Sequence, residues 1–485
     1  MINLSKIFLG MLLQFLALLF FINTGEVHAQ KHYTSVNVNK NKGKTTVSIK
    51  NGNKKSFSLE YEGEITLSDD DKDIVAISRG GYMEVKKSAF GNRRRIFMEP
   101  DTNGKLIKKY YVGSSEKNFE SEGKKWLAEI LPEIVRSSTL GAKQRVERFY
   151  EKGGTGAVLQ EVGYMHSDHV KSKYIRLLLD KNPNSGDLIA ILKVVGNDIS
   201  SDHHKAEILK RKTKAFLSTD ATSAAYINAT GKISSDHHKA EVLKKSIRDG
   251  SISEARMKSL FAITEDISSD HHKAQVLLTV LKNRSLNTDN INILINTSRS
   301  INSDHHKEQV LKAALKTPGL SKSGYRTLLE SISGISSDHH SANVFSTLLD
   351  KKLDDTSLAE VFRLTDRTMS SDHHKAQVLK KAVQRQNIED GNLEALLSAL
   401  KGMSSDMHQG VVFKELSKKS FSSDQLIHIL TATKSMGSDH HQSAALVAYA
   451  PAVRDKGDAA KEAYRAACAS ISSELHYGKA IRAIQ

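Results

Sequence analysis

A single cysteine, Cys468, stands in the whole chain. It has no intramolecular partner, so no internal disulfide staples the fold. It lies among Ala466, Ala467 and Ala469, which predicts a small buried helix residue rather than a reactive thiol. Proline is nearly as scarce, with five in 485 residues, and this suits a mostly helical chain. Aromatics are 6%, with one tryptophan, Trp126. Beyond the N-terminus no apolar run is long enough to span a membrane. The chain contains no Gly-rich phosphate loop, no nucleophile elbow, no Cys-x-x-Cys and no His-Glu-x-x-His. Nucleotide-binding, hydrolase, thiol-redox and zinc-peptidase signatures are therefore all missing.

What the chain has in excess is positive charge, +16 with pI near 9.5. Such a balance draws anionic partners: nucleic acid, phospholipid headgroups or acidic polysaccharide. The N-terminus makes nucleic acid the least suitable of these, because it reads as an export signal. Lys6 supplies the positive start, Ile7 to Ile22 is apolar except for Gly10 and Gln14, and Val27-His28-Ala29 offers a small-x-small cleavage site. Sixteen such residues rise about 24 Å as a helix, short of the ~30 Å hydrocarbon core. Residues 1–29 are thus expected to be a cleaved signal peptide, leaving a periplasmic or secreted protein with no membrane span. No Cys near the site allows lipoprotein anchoring.

Residues 30–115 read as a small antiparallel β domain. Alternation marks Thr45-Thr46-Val47-Ser48-Ile49 and Ser56-Phe57-Ser58-Leu59, and Asn51-Gly52, Gly80-Gly81 and Asn103-Gly104 supply turns. Basic residues crowd this region: Lys86, Lys87, Arg93, Arg94, Arg95, Lys105, Lys108 and Lys109. In strands they alternate between faces, so spacing alone does not gather them into a patch. They predict a solvated basic hairpin, with an anionic envelope surface as the alternative partner. Residues 116–153 switch to helix, a connector or N-terminal cap, with Trp126, Leu127, Ile130, Leu131, Ile134 and Val135 at helical spacing. Pro132 is expected to kink that helix or restart it.

From residue 154 to 485 the chain repeats itself. Ser-Asp-His recurs with its acid at Asp168, Asp202, Asp236, Asp270, Asp304, Asp338, Asp372, Asp406, Asp439 and Glu474, at seven steps of 34, then 33, then 35. A fixed period of this size marks a solenoid or array. Three residues before the acid stands Ile or Met in every copy, and ten before it an apolar residue such as Leu260, Leu294 or Phe362. Six and seven after it comes an apolar pair, as in Ile208-Leu209 and Val412-Phe413. These columns describe a helical hairpin. Helix A carries the apolar residue at minus ten, and helix B begins at Ser-Asp, with the Ser capping free amides and the Asp favoured by the positive helix end. The preceding Ile or Met is placed as a hydrophobic staple. One hairpin cannot bury both faces, so the copies must stack. The tetratricopeptide Trp-Gly-Tyr-Pro pattern and the ankyrin Thr-Pro-Leu-His motif are absent, so the expected fold is mainly α: a HEAT/TPR-like α-solenoid of about ten hairpins after a small antiparallel β domain.

Two stretches carry a resemblance. One is Ile74-Val75-Ala76-Ile77-Ser78-Arg79-Gly80-Gly81-Tyr82-Met83-Glu84-Val85, with Arg93-Arg94-Arg95, Lys108-Lys109-Tyr110-Tyr111-Val112 and Lys125-Trp126-Leu127-Ala128-Glu129-Ile130-Leu131-Pro132-Glu133. The other is the repeated Ile-Ser-Ser-Asp-x-x-Lys-Ala-x-Val-Leu. Together they resemble uncharacterised exported bacterial modules found attached to BlaR/MecR-type membrane metallopeptidases. The resemblance implies a β domain plus helical repeats, an envelope location and a sensor role in an envelope-stress pathway. It implies no peptidase activity here, because the zinc motif and the multi-span membrane region are both lacking.

Histidine is the conspicuous side chain. Seventeen of 21 follow the repeated acid. Asp-His-His invites a metal reading, with His271, His272, His305 and His306 of two central copies as candidate ligands. Neighbouring helix residues point about 100° apart, and stacked helices lie about 8–10 Å apart, so one copy does not converge on an ion. The plainer reading makes them first-turn structural residues, because catalysis needs one site and not ten. No catalytic residue and no cofactor is assigned. Lys three places after the acid, in six copies from Lys171 to Lys375, reads as surface support worth a few tenths of a kcal/mol. The expected function is a non-enzymatic exported scaffold that binds a protein partner through its solenoid. The alternatives are a histidine-rich metal-binding or pH-responsive envelope protein, and the sensor role above.

Overall fold

A computed structural model describes residues 34–41, 44–51, 54–89, 92–249, 252–318 and 320–485. The expected signal peptide, 1–29, lies outside these. The described residues form two compact units, one within residues 34–151 and 164–170, the other within 152–163 and 171–485.

The first unit is built on antiparallel strands: β1 (Thr34–Asn41), β2 (Lys44–Asn51), β3 (Lys54–Glu62), β4 (Ile65–Leu67), β5 (Ile74–Ile77), β6 (Tyr82–Ala89), β7 (Asn92–Pro100), β8 (Leu106–Val112) and β9 (Ser115–Lys117). Seven of them make one sheet in the order β1-β2-β3-β6-β7-β8-β9, while β4 and β5 pair separately. The register aligns Val47, Leu59, Val85, Ile96 and Tyr110 in one row across five strands. All five are buried. They pack with Trp126, Leu127, Ile130, Leu131, Ile134 and Val135 of helix α1 (Lys124–Ser137). The segment expected to be a connector therefore supplies eight of the nineteen described core residues of the β unit. Helix α1 runs through Pro132 from Lys124 to Ser137, so Pro132 starts no new helix. Period two does the rest: each residue next to the buried row faces away from α1. The loop before β5 is fixed by Asp71, whose backbone is left-handed at φ 57°. Its carboxylate accepts from Arg145 Nε at 2.9 Å and from Arg148 Nη2 at 2.5 Å.

The second unit is the α-solenoid, and among its described residues there is no strand. Helix B of every copy begins at the repeated acid, from Asp202–Arg211 to Glu474–Ile484. Helix A precedes it, as in Glu254–Glu265 before Asp270–Asn283 and Thr288–Ser298 before Asp304–Leu315. An extra turn, Thr213–Phe216, follows the helix at Asp202. The staple column is buried throughout, from Ile199 and Ile233 to Met436 and Ile471, and so are Leu192, Tyr226, Leu260, Leu294, Leu328 and Phe362 of the minus-ten column. A fully buried Leu or Ile contributes about 1.5–3 kcal/mol by burial alone, so two such columns repeated down the stack hold the array together. Cys468 is buried among them, and burial pushes its thiol up to about 11.

Candidate functional site

The repeated segment, Ser-Asp-His-His-Lys in five of the ten copies and a variant of it in the rest, sits at the first turn of each helix B, and its parts divide into two jobs. The acid and the lysine join neighbouring repeats. Asp270 accepts from the backbone amides of Asn302 at 3.1 Å and Ser303 at 2.7 Å, both in the next copy. Asp202, Asp236, Asp338, Asp372 and Asp439 do the same, with 2.7 Å to the serine just before the next helix B. The carboxylate therefore serves the start of the following helix as well as its own. The serine caps are weaker, since the second His amide lies 3.4–3.5 Å from the Ser Oγ in most copies. Spacing within one copy had pointed only to the local cap.

The lysine overturns the surface reading. Lys205, Lys239, Lys273, Lys307 and Lys375 are all buried, 4–7% exposed. Lys205 Nζ donates to Lys232 O at 2.8 Å, Lys273 to Ser300 O at 3.1 Å and Lys307 to Gly334 O at 2.9 Å. Each acceptor lies just past the C-terminal end of the next helix A, where free carbonyls concentrate negative partial charge. Where the lysine column holds Gln442, its amide still reaches the corresponding place, Ser470 Oγ at 2.7 Å. In these copies the preceding repeat thus caps both open ends of the A–B turn, whereas Lys375 donates to Asp366 Oδ1 at 3.2 Å and Gln409 to Met403 O at 2.7 Å, both within their own copy.

The histidines lie outside this clamp. His203, His237, His271, His305, His339 and His373 are exposed, and their partners one residue on are half-buried. Rings of one pair touch edge to face, with centroids 5.2–5.4 Å apart. The exposed ring also meets the half-buried ring of the next copy, at 5.4–5.9 Å. The result is an unbroken zigzag of imidazoles from His204 to His408. Met407 takes the exposed position in its copy, and the zigzag resumes with His441, His440 and His476. His272, His271, His306 and His305 are four successive rungs. Among the described residues, no three His, Cys, Asp or Glu side chains converge tightly enough to hold a metal ion.

A second column completes the edge, five places after the acid. Gln275 Nε2 lies 2.7 Å from His271 Nε2, and Asn343 Nδ2 lies 3.2 Å from His339 Nε2. Gln309 joins both rings of its pair, Nε2 to His305 Nε2 at 3.0 Å and Oε1 to His306 Nδ1 at 3.4 Å. Gln377 does so at 2.9 and 3.2 Å. One side-chain amide carries both a donor and an acceptor, so it bridges the two rings of a pair. The run Gln275, Gln309, Asn343 and Gln377 was visible in the sequence as a polar column, but not its contact with the rings.

Burial lowers the His238 and His272 pKa values, and the neighbouring rings, His237 and His203 for the first and His271 and His237 for the second, add to it. One rung differs from the rest. Glu308 stands where five of ten copies have Ala, and it meets His340 Nδ1 at 2.5 Å and Lys312 Nζ at 3.1 Å. Burial opposes its charge, but hydrogen bonds from His340, Lys312 and Asn343 outweigh that and hold its carboxyl below the usual range.

The basic residues of the β unit part by face. Lys86 and Arg95 face away from α1, opposite each other across β6 and β7. On the other face Lys87 lies 3.6 Å from Glu133 of α1. Lys108 pairs with Asp73 at 2.7 Å.

Compared with known proteins, the chain matches no family model and no curated protein sequence.

Proposed function

We propose that this protein is an exported, non-enzymatic scaffold that binds another protein along the imidazole edge of its solenoid. One observation carries the reading. The exposed ladder position has no part in the clamp, and the fold accepts Met407 or Leu475 there, yet eight of ten copies hold histidine. A surface column that stability does not require is a column available for contact. Imidazoles suit it, because each ring offers an apolar face, a donor and an acceptor. Stacking carries that chemistry along many copies, the arrangement by which solenoids form extended binding surfaces. Repetition of one group also argues against catalysis, which needs a single constellation.

The test is cross-linking in the native envelope with the parent and with a variant carrying Gln at His271, His305, His339 and His373. A partner captured in stoichiometric amount by the parent and lost from the variant supports the proposal. Equal capture by both moves the contact off the ladder and sinks it. A second reading, a pH-responsive envelope protein, is favoured by the lowered pKa values at His238 and His272. A metal-binding ladder is separated by calorimetric titration with zinc, where stoichiometric binding at micromolar affinity or tighter would replace the scaffold reading.

A further inference from the structure

The open face of the β sheet carries a second feature, unrelated to the repeats. The row next to the buried one aligns Ser58, Lys86, Arg95 and Tyr111 across four strands. Arg93 lies two residues from Arg95 on the same strand, so it points the same way. These side chains border a depression of about 390 Å³. Lys86, Arg93 and Arg95 bring three cations to it and no carboxylate lines it, while Arg94, opposite Lys87, belongs to the α1 face. Glu84, just outside, ties Lys86 at 2.5 Å and touches Arg95 at 3.4 Å, and Glu116 stands opposite Tyr111 on β9. Three cations flanked by two carboxylates leave net positive charge in one concavity, where like charges repel each other.

Arg95 is oriented before any ligand arrives. Its guanidinium lies over the Tyr111 ring, 4.1 Å from the centroid. Stacking fixes the plane, and beyond the long Nη1 contact with Glu84 the guanidinium keeps further N–H groups to present to a ligand. The turn between β8 and β9 closes the far side: Gly113, with φ 62°, donates its amide to Arg93 O at 2.7 Å. That bond holds the turn against the Arg93 strand and brings Ser114 to the depression, where Ser58 and Ser88 add hydroxyls.

We propose that this depression is a binding site for a phosphate-class oxyanion, held by Arg93 and Arg95 with Lys86 and the serine hydroxyls completing the shell. A carboxylate is flat and is satisfied by one guanidinium fork. Cations converging from two strands, with hydroxyls between them, suit a tetrahedral group with three oxygens to share. The same chemistry is offered by free phosphate compounds and by phospholipid headgroups.

The full-length purified chain is titrated calorimetrically with pyrophosphate in 0.1 M salt, and sedimented with phosphatidylglycerol or phosphatidylcholine vesicles. Saturable one-to-one binding of pyrophosphate, or sedimentation with the anionic vesicles alone, is expected. Either should weaken about tenfold or more in Arg93→Ala/Arg95→Ala. Arg95→Lys keeps the charge but loses the fork and the stacking, and should also bind more weakly. Lys352→Ala/Lys401→Ala removes the same charge from exposed solenoid positions and should leave binding unchanged. Unchanged circular dichroism confirms that each variant folds. Vesicle binding that pyrophosphate fails to displace would identify the lipid headgroup as the source, and pyrophosphate binding without vesicle binding a soluble ligand. No saturable binding of either kind, or equal loss in the solenoid control, overturns the proposal.

Discussion

Removing the Asp270 carboxylate tests whether the repeated acid works across the repeat boundary or only within its own helix. Its two oxygens accept from Asn302 N at 3.1 Å and Ser303 N at 2.7 Å. Hydrogen bonds to a charged group contribute about 1.5–3 kcal/mol each, and an unsatisfied half-buried amide loses most of that. Asn302 is exposed, so water replaces the carboxylate there, while Ser303 is half-buried. Asp270→Ala should therefore cost about 2–3 kcal/mol, nearly all from Ser303 and the lost helix-end charge. Asp270→Asn keeps an oxygen for Ser303 and should cost about 1 kcal/mol. Ser269→Ala removes a cap bond of 3.4 Å, and its loss should fall near the low end for caps, about 0.5 kcal/mol. An array need not unfold in one step, so the informative quantity is the local opening free energy from amide hydrogen exchange around residues 302–303, read beside a urea melt by circular dichroism. If the acid only balanced its own helix dipole, the Ala and Asn variants would lose the same amount, about 0.3–1 kcal/mol. Equal losses of that size, with exchange at Ser303 unchanged, would refute the clamp.

Three further outcomes follow from single sites. His238 and His272 titrate below the ordinary imidazole value in the folded chain. The unfolded chain then binds more protons as pH falls through about 6.5 towards the folded pKa values, so stability is lost on acidification over that window. Melting should drop between pH 7.5 and 5.5, and less so in His238→Gln/His272→Gln; a parent that melts alike at both, or a variant with the full loss, contradicts this. Glu308→Ala restores the residue found in five of the ten copies and removes a buried charge together with its partners' restraint, so its melt should stay within about 1 kcal/mol of the parent. His340→Leu leaves that carboxylate with one partner fewer and should cost more; the reverse order would mean that the pair itself stabilises the array. Asp71→Ala strands two buried guanidinium groups, Arg145 and Arg148, and should destabilise the β unit by about 3–5 kcal/mol. Trp126 lies in that unit's core and is the only tryptophan, so a fluorescence melt reads this loss directly, and an unshifted midpoint would contradict the buried ion pair.

Several features were legible in the chain because they depend on periods that backbone geometry dictates. Apolar columns at minus ten, minus three and plus six and seven can be satisfied together only by two helices whose shared face is buried by a neighbouring copy. Alternation in Phe57-Ser58-Leu59 and the Asn103-Gly104 turn likewise require paired strands with one face inward. The burial of Cys468 followed from its alanine surroundings, and the separation of β and α regions from the change of period near residue 116.

Tertiary structure decided what each polar residue touches. The partners of Asp270 and Lys273, and the His306 ring that His271 meets, lie about one repeat away, and no spacing within a copy reports the stagger between stacked helices. That stagger turned the supposed surface lysine into a buried cap and the supposed local acid into a clamp. It also brought half-buried rings against exposed ones, which adjacent positions on one helix did not foretell. In the β unit, period two said only that the basic residues alternate between two faces, and the register of β6 against β7 put Lys86 and Arg95 on the same one. That helix α1 would cover the opposite face, leaving theirs open beside a concavity without carboxylates, was settled by packing, because alternation separates two faces but does not say which one the core will claim.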